Sequence, residues 1–267
     1  MSRPDVPPFT AIVLAAQRDG RVDPLAAEAG LANKSLALIQ GAPLVRHVVD
    51  ALLATPSLTR IRIVVEPQAE AAIAEAMPRG APVDFVTAAD NLADSVHAAA
   101  VGVGGPMLIT TSDNVLLTPG AVRAVLAPLA AGADVTLAVA TRAAVLAAHP
   151  EGQRRFYRFA DDAYSNCNLY ALAGPGALRA AESFRSGGQF AKKPLRMIAA
   201  LGPVNLALML LGRLTLRGAL RRVSRGFGLR VEPVVLADGS HAIDVDNART
   251  YACADALLAR RRQALAA

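Results

Sequence analysis

Four short segments of this chain gather residue types that handle phosphate and a divalent cation. The first is Leu14-Ala15-Ala16-Gln17-Arg18-Asp19-Gly20-Arg21, followed by a polar loop and Asn33-Lys34-Ser35. A turn of small residues lets backbone N–H groups approach a phosphate, and Arg21 and Lys34 add positive charge. The same residues also suit an ordinary solvated loop. Lys34 is the only Lys in the first 191 residues, and a compact ammonium differs chemically from the planar guanidinium that supplies most of the chain's positive charge. The second segment is Thr111-Ser112-Asp113-Asn114, at the end of an apolar run from Met107. A carboxylate there must be solvated, paired or bound to a cation. Hard-oxygen ligation to Mg²⁺ beside phosphates satisfies it, and so does capping of the next helix. The third is Asp244-Val245-Asp246-Asn247, whose alternation puts both carboxylates on one face if the segment is extended. The fourth is Asp90-Asn91-Leu92-Ala93-Asp94-Ser95, where Asn91 and Ser95 either read a base or phosphate or serve as caps of a helix.

Other chemistries find little support. The first segment is neither GxGxxG nor GxxxxGK[ST], which removes the dinucleotide-Rossmann and P-loop readings. Two cysteines define no disulfide framework, and four scattered histidines have no metal-ligand spacing. No Ser/His/Asp or Cys/His constellation is visible.

The elements that must position these segments read as alternating strands and helices. Strands are expected at Thr10–Ala15, Arg60–Val65, Val83–Thr87, Met107–Thr111 and Asp134–Ala140. Helices are expected at about Leu44–Ala54, Gln68–Ala76, Ala93–Val103 and Ala121–Leu129. Strand-like pieces follow at Arg155–Ala160, Asn168–Leu172 and Val231–Leu236, then a last helix at about Ala248–Ala264. Short continuous Ile/Val runs separated by helices predict a doubly wound, mostly parallel α/β sheet covered on both faces. In such a sheet ligands sit outside the carboxyl ends of the strands, where the first, second and fourth segments fall. With no internal repeat and no Ser/Gly-rich linker, one domain with an inserted subregion at about 183–230 is expected.

Together the four segments resemble the nucleotidyltransferase superfamily that includes molybdenum-cofactor guanylyltransferase, methylerythritol-phosphate cytidylyltransferase and sugar-phosphate nucleotidyltransferases. Leu14-Ala15-Ala16 match its opening motif, with Gln17 in place of the motif Gly, Arg21 four positions later and Lys34 beyond. Asp113 falls on the metal-binding Asp, and Asp246 on the second metal carboxylate of the closing motif. Asn91 and Ser95 resemble the base-contacting segment, and Ser165-Asn166-Cys167-Asn168 the strand beside the acceptor site. The resemblance implies a nucleotide-diphospho-sugar transferase-like sheet of the glycosyltransferase-A type. It implies transfer of a nucleotidyl group from an NTP to a phosphorylated acceptor with release of pyrophosphate. Leu14 to Gln17 would bind the nucleotide, Arg21 and Lys34 would hold the triphosphate, and Mg²⁺ would sit on Asp113 and Asp246. The stretch at 183–230 matches none of the named enzymes.

That stretch is where the charge lies. The formal net charge is +6, yet ten basic residues and no Asp or Glu fall between Ser183 and Val231. The rest of the chain holds eighteen basic residues against 22 acidic. Arg213, Arg217, Arg221, Arg222 and Arg225 are spaced to share one helical face. Such a face beside an apolar run suits a lid, a clamp for an anionic acceptor that would also use Lys192 and Lys193, or a peripheral membrane contact. The acceptor is thus expected to be a phosphorylated small molecule or a lipid-associated phosphate. Nucleic acid is not expected, because the segment has few aromatics for stacking. No signal sequence or membrane span is read, so a cytoplasmic protein is expected. Two further readings stand beside this one: a glycosyltransferase of related fold using a nucleotide sugar, and an inert nucleotide-binding or membrane-associated regulatory module.

Overall fold

A computed structural model describes residues 6–17, 23–28, 30–184, 204, 207–208 and 211–266. Arg21, Lys192 and Lys193 lie outside the described residues, as does most of the basic insertion before Leu211.

Strand β1 (Phe9–Leu14) leads through the short helix α1 (Pro24–Glu28) and a 3₁₀ turn (Lys34–Leu36) to a small hairpin, β2 (Leu38–Ile39) and β3 (Ala42–Pro43). Three strand–helix pairs follow: α2 (Leu44–Leu53) with β4 (Leu58–Val65), α3 (Pro67–Glu75) with β5 (Val83–Thr87), and α4 (Leu92–Ala100) with β6 (Met107–Thr111). Then come α5 (Pro119–Ala130), β7 (Val135–Thr141), α6 (Arg142–Ala148), β8 (Tyr157–Arg158) and β9 (Ala163–Leu172). After a 3₁₀ segment (Pro175–Phe184) the chain is described again in helix α7 (Leu216–Phe227) and β10 (Val231–Leu236). A 3₁₀ turn (Gly239–Ala242) and the long helix α8 (Ala248–Ala266) complete it.

The main sheet has the order β10-β7-β9-β6-β1-β4-β5, with β8 paired to β9. The pairs β1–β4, β1–β6, β4–β5 and β10–β7 are parallel. Only β9 runs antiparallel between β6 and β7, with β8 antiparallel to it. Both faces are covered, so the central strands can be apolar throughout: Ala11, Ile12 and Val13 of β1 are fully buried. Helix α2 shows the complementary logic, burying Leu44, Val45, Val48, Val49 and Leu52 on one stripe.

The mostly parallel α/β architecture agrees with expectation, with three differences that matter. First, Arg155–Ala160 contracts to two residues, while β9 begins at Ala163, ahead of the expected Asn168. Its polar start (Tyr-Ser-Asn-Cys-Asn) hides the strand pattern, but β7 pairs with Tyr164, Ser165 and Asn166, and β8 with Ala163 and Tyr164. Second, β9 carries an irregularity: Leu137 pairs with Tyr170 and Val139 with Asn166, so one β7 residue faces three of β9. Asn168 sits there at φ 46°, in the left-handed region that Asn tolerates better than most residues. Third, Asp244-Val245-Asp246 is not extended. The Asp246 N–H donates to the Asp244 carbonyl at 3.0 Å, a tight turn that sets the two carboxylates at different depths.

The expected arginine-bearing helix is α7, capped by Thr215 at its start and by Gly228, at φ 60°, at its end. Arg217, Arg221, Arg222 and Arg225 are exposed on it, while Leu216 and Ala219 are buried. Arg213 precedes the helix. Among the described residues no helix is long and apolar enough to cross a membrane. Cys167 and Cys253 are both free and buried.

One close approach fixes the level of the chain just before Asp244. The turn at Gly239 lies so near α6 that a Cβ there would fall inside the backbone of Ala144 and Val145. Gly239→Ala should therefore lower stability by about 1–3 kcal/mol or more, read as a reduced urea midpoint. A change of a few tenths of a kcal/mol would show that the contact relaxes freely.

Candidate active site

Asp113 lies just past the carboxyl end of β6, and its neighbours on both sides are pinned. The Ser112 N–H donates to the Leu14 carbonyl at 3.0 Å, carrying the β1–β6 pairing beyond the strand. The Ser112 and Ser35 hydroxyls meet at 2.7 Å. Asn114, 1% exposed, donates from Nδ2 to Thr110 Oγ1 at 3.2 Å and to the Cys167 carbonyl at 3.1 Å. The Asp113 carbonyl accepts the Val245 N–H at 3.1 Å, and this bond draws the closing acidic segment onto the first. A carboxylate held by its neighbours' bonds has little freedom to swing away.

Lys34 reaches the same point from the other side. Asn33 caps its 3₁₀ turn, accepting the Ser35 N–H at 2.8 Å and donating to the Ala15 carbonyl at 2.9 Å. The Lys34 ammonium then stands 2.6 Å from Asp113 Oδ2, 3.6 Å from Asp246 Oδ1 and 3.9 Å from Asp23 Oδ2. Burial opposes its charge, but Asp113 and Asp246, with the hydrogen bond to Asp113 and the more distant Asp23, outweigh burial and raise its pKa above the usual Lys value. Lys34 is therefore a permanent cation at neutral pH.

Asp244 was visible in the sequence as half of an acidic pair but had no assigned role. It is the inner carboxylate. Asn168 Nδ2 donates to its Oδ2 at 2.6 Å, while Asp246 points outward with its side chain 67% exposed. Asn168 is itself positioned: Asn166 Nδ2 donates to Asn168 Oδ1 at 2.8 Å and to the Tyr170 hydroxyl at 2.5 Å. Burial, with the negative charges of Asp113 and Asp246, holds the Asp244 carboxyl well above the usual carboxylate range; Lys34 and Asn168 only partly offset this.

These groups border a cleft of about 270 Å³. Asp113, Asp244 and Asp246 stand at one end, Asn166, Asn168 and Tyr170 on the floor, and Gln153, Arg155 and Tyr157 on a wall. Leu14 of the opening motif lines it as well. The remaining expected nucleotide residues are placed differently. The Gln17 N–H donates to Glu66 Oε1 and its side-chain amide donates to the Ala32 carbonyl, so both donors serve the loop itself. Glu66, unremarked in the sequence, also accepts from Asn33 at 3.2 Å. Ala15 and Ala16 lead into this turn, with the Ala15 N–H donating to the Val64 carbonyl. Asn91 caps α4, accepting the Asp94 N–H at 3.0 Å and donating to the Asp94 carboxylate at 2.6 Å. Ser95 Oγ accepts the Ala89 N–H at 3.0 Å. The capping role weighed for these residues is therefore present at Asn91, whereas Ser95 ties the preceding loop to the helix; their neighbours Leu92 and Val96 face the cleft.

A divalent cation is the remaining question. Among the described residues no three His, Cys, Asp or Glu side chains form a closed metal cage. Mg²⁺ does not need one, since it binds one or two carboxylates together with phosphate oxygens and water. Asp113 Oδ1 and Asp244 Oδ1 are buried without a hydrogen-bond partner. Unsatisfied carboxylate oxygens beside the outward Asp246 are hard donors of the kind Mg²⁺ takes, so the residues present fit the ion.

The raised pKa of Asp244 makes a stability prediction with a definite sign. A carboxyl whose native pKa lies above its unfolded value destabilises the fold at high pH, and the penalty disappears as pH falls through the native and then the unfolded pKa. In metal-free buffer, Asp244→Asn should thus raise the urea midpoint at neutral pH, with the gain vanishing near pH 3. A pH-independent difference would show that the substitution acts through packing alone.

Comparison with known proteins identifies the family. The sequence matches the MobA-like NTP transferase domain over residues 11–238. The fold is similar to that of a hypothetical transferase from Thermus thermophilus at 27% identity and TM-score 0.73, covering 91% of this chain and 98% of that one. It also resembles CMP:2-keto-3-deoxy-manno-octonic acid synthetase solved with CTP, at 16% identity and TM-score 0.58, covering 95% and 99%. A third similar structure is 4-diphosphocytidyl-2C-methyl-D-erythritol synthase from Anaerococcus prevotii, at 10% identity and TM-score 0.57, covering 95% and 97%. At such identities the last two speak to the fold alone. No curated protein matches the sequence. The matched domain spans most of the chain and is a domain of NTP transferases rather than of nucleotide-sugar glycosyltransferases or inert binding modules. The chain accordingly belongs to the MobA-like NTP transferase domain family and is a nucleotidyltransferase.

Proposed function

We propose that the cleft transfers a nucleotidyl group from an NTP to the phosphate of an acceptor, releasing pyrophosphate, with Mg²⁺ held by Asp113 and Asp246. The observation that carries this reading is the meeting of Lys34 with Asp113 and Asp246, two of the carboxylates that line the cleft. The three residues come from separate segments of the chain, and the fold brings both carboxylates within 4 Å of one ammonium.

The chemistry follows from charge. An acceptor phosphate is already an anion, so its oxygen attacks the α-phosphorus without a base; no histidine lines the cleft among the described residues. As the bond to the α-phosphorus forms, the bond to the β-phosphate oxygen breaks and pyrophosphate leaves with the negative charge. Lys34, kept cationic by its carboxylates, is suited to neutralise that charge. Arg21 is assigned to the same task. Mg²⁺, when bound, would screen the α-phosphate from the approaching anion. The turn from Leu14 to Gln17 and the start of α4 at Asn91 and Ser95 are assigned to the nucleotide. The amides of Asn166 and Asn168, with Lys192 and Lys193, are assigned to the acceptor phosphate. That a similar synthetase was solved with CTP supports an NTP as donor. The exposed arginine face of α7, which carries no acidic side chain, supports contact of a cytoplasmic enzyme with an anionic surface.

Asp113→Ala should abolish pyrophosphate release while leaving the circular dichroism spectrum unchanged; near-wild-type turnover would remove the assignment. Lys34→Ala should lower kcat by about 10²–10³-fold, and a loss below tenfold would make it a bystander. Vesicles containing anionic lipid should retain the protein at low salt. Replacing Arg217, Arg221, Arg222 and Arg225 with Ala should release it, and equal retention of the variant would rule out α7 as the contact.

A further inference from the structure

The cleft changes character along a single strand. Asn166, Asn168, Tyr170 and Leu172 of β9 all line it, and their chemistry runs from two amides through a phenol to an alkyl group. Leu172 lies four residues beyond Asn168, roughly 13 Å at the rise of a strand. Neighbouring strands continue the same trend. Ile109 of β6 pairs with Tyr170, and Val135 of β7 pairs with Leu172. Leu92 and Val96 of α4, with Ala180 and Ala181 of the 3₁₀ segment, form the opposite wall.

Beyond Tyr170 this arm offers no free hydrogen-bonding side chain among the described residues. The nearest hydroxyls, Thr110 Oγ1, which accepts from Asn114, and Thr111 Oγ1, which has no partner, both lie on the Asn168 side of the Ile109–Tyr170 pair and so outside this arm. The Tyr170 hydroxyl accepts from Asn166, and burial pushes its pKa upward, so it stays neutral. A nucleobase placed in the arm would leave its polar edge without side-chain partners, which is costly in an apolar setting. A hydrocarbon would lose nothing and would leave water, gaining with each buried methylene. The polar end of the same cleft is where the reacting phosphates are assigned.

We infer that the acceptor carries an aliphatic hydrocarbon group next to its phosphate, lying on the floor made by Ile109, Val135 and Leu172. This rests on the nucleotidyl-transfer reading for the identity of the polar end, but the ligand class follows from the arm itself. The acceptor phosphate lies near Asn166 and Asn168, and its alkyl chain points toward Leu172.

The experiment uses the full chain with Mg²⁺ and methyl, butyl and octyl phosphate below their micelle concentrations. Binding is followed by calorimetry, and pyrophosphate release is followed in parallel with each NTP. The dissociation constant should fall by about two- to fourfold for each methylene added until the arm is filled. Leu92→Gln, a half-exposed position, and the isosteric Val96→Thr should both flatten that dependence, and two variants guard against one failing to fold. Equal affinity for all three phosphates overturns the inference, as does a loss of NTP binding rather than chain-length dependence in the variants. Pyrophosphate release with all three phosphates and no chain-length dependence would leave nucleotidyl transfer standing and overturn the hydrocarbon acceptor. Chain-length dependence with no pyrophosphate from any NTP would retain the hydrocarbon ligand and overturn the transfer chemistry.

Discussion

One ammonium among four carboxylates organises this molecule. Lys34 lies within 4 Å of Asp23, Asp113 and Asp246, and Asp244 stands behind them close enough to be disturbed by two of those charges. Carboxylates crowded in this way repel, and without a cation at least one must take up a proton. Lys34 relieves the repulsion and in doing so ties the opening, middle and closing segments of the chain together. The relief is partial, since one positive charge faces several negative ones. A triphosphate entering alone would add to that excess, whereas a triphosphate entering with a divalent cation would reduce it. The charge balance is thus itself an argument for a metal-accompanied nucleotide.

The fold supplies the rigidity this crowding needs. β1 and β6 are parallel neighbours, so the Leu14 turn and Asp113 emerge side by side at one edge. The antiparallel β9 then slides between β6 and β7 and brings Asn166 and Asn168 to the same edge from the opposite direction. At φ 46° Asn168 is held in a conformation that costs energy in isolation. Its amide is trapped between Asn166 and Asp244, which explains how the conformation persists. The near-contact of Gly239 with α6 anchors the chain a few residues before Asp244. Each carboxylate is therefore delivered by a different kind of constraint: a strand end, a bulge partner and a tight turn.

The parts of this arrangement that were readable from sequence are those fixed by burial on both faces of a sheet. Met107–Thr111 forms a strand residue for residue, because a strand covered on both faces leaves an apolar run; the edge strands Val83–Thr87 and Val231–Leu236 were equally readable from their valines, although Asp84 and Glu232 interrupt them. Lys34 stood out as the only Lys in the first 191 residues, Asp113 as a carboxylate at a strand end and Asp246 as half of an acidic pair before the last helix, and the structure brings them together. What escaped was polar structure inside the sheet. β9 opens with Ala163 and then Tyr-Ser-Asn-Cys-Asn, where no apolar pattern marks a strand; only the resemblance put Ser165–Asn168 on one, and its pairing with β7 starts at Tyr164. Asp244 and Asp246 are indistinguishable in a string of letters; only the turn between them, closed by one N–H···O bond, decides which faces Asn168 and which faces solvent. Glu66 was silent for a related reason, since its role depends on Gln17 and Asn33, both far away in the chain.

The gradient along β9 also bears on where binding energy must come from. At the charged end, contacts between ions are largely offset by the water each must lose, so that end fixes position better than it supplies affinity. Hydrocarbon burial has the opposite character: it is non-directional and scales with area. A cleft that joins the two can draw affinity from the arm by Leu172 and use it to hold a repelled, desolvated phosphate against a second one near Asp113. Binding energy from a non-reacting part of a substrate lowers a barrier in this way when it holds the reacting groups where they would not otherwise stay. Tyr170, with its ring toward the arm and its hydroxyl bonded to Asn166, is the hinge between these two regimes. Its position four residues from Asn166 places the change from amide to alkyl side chains at a fixed depth in the cleft.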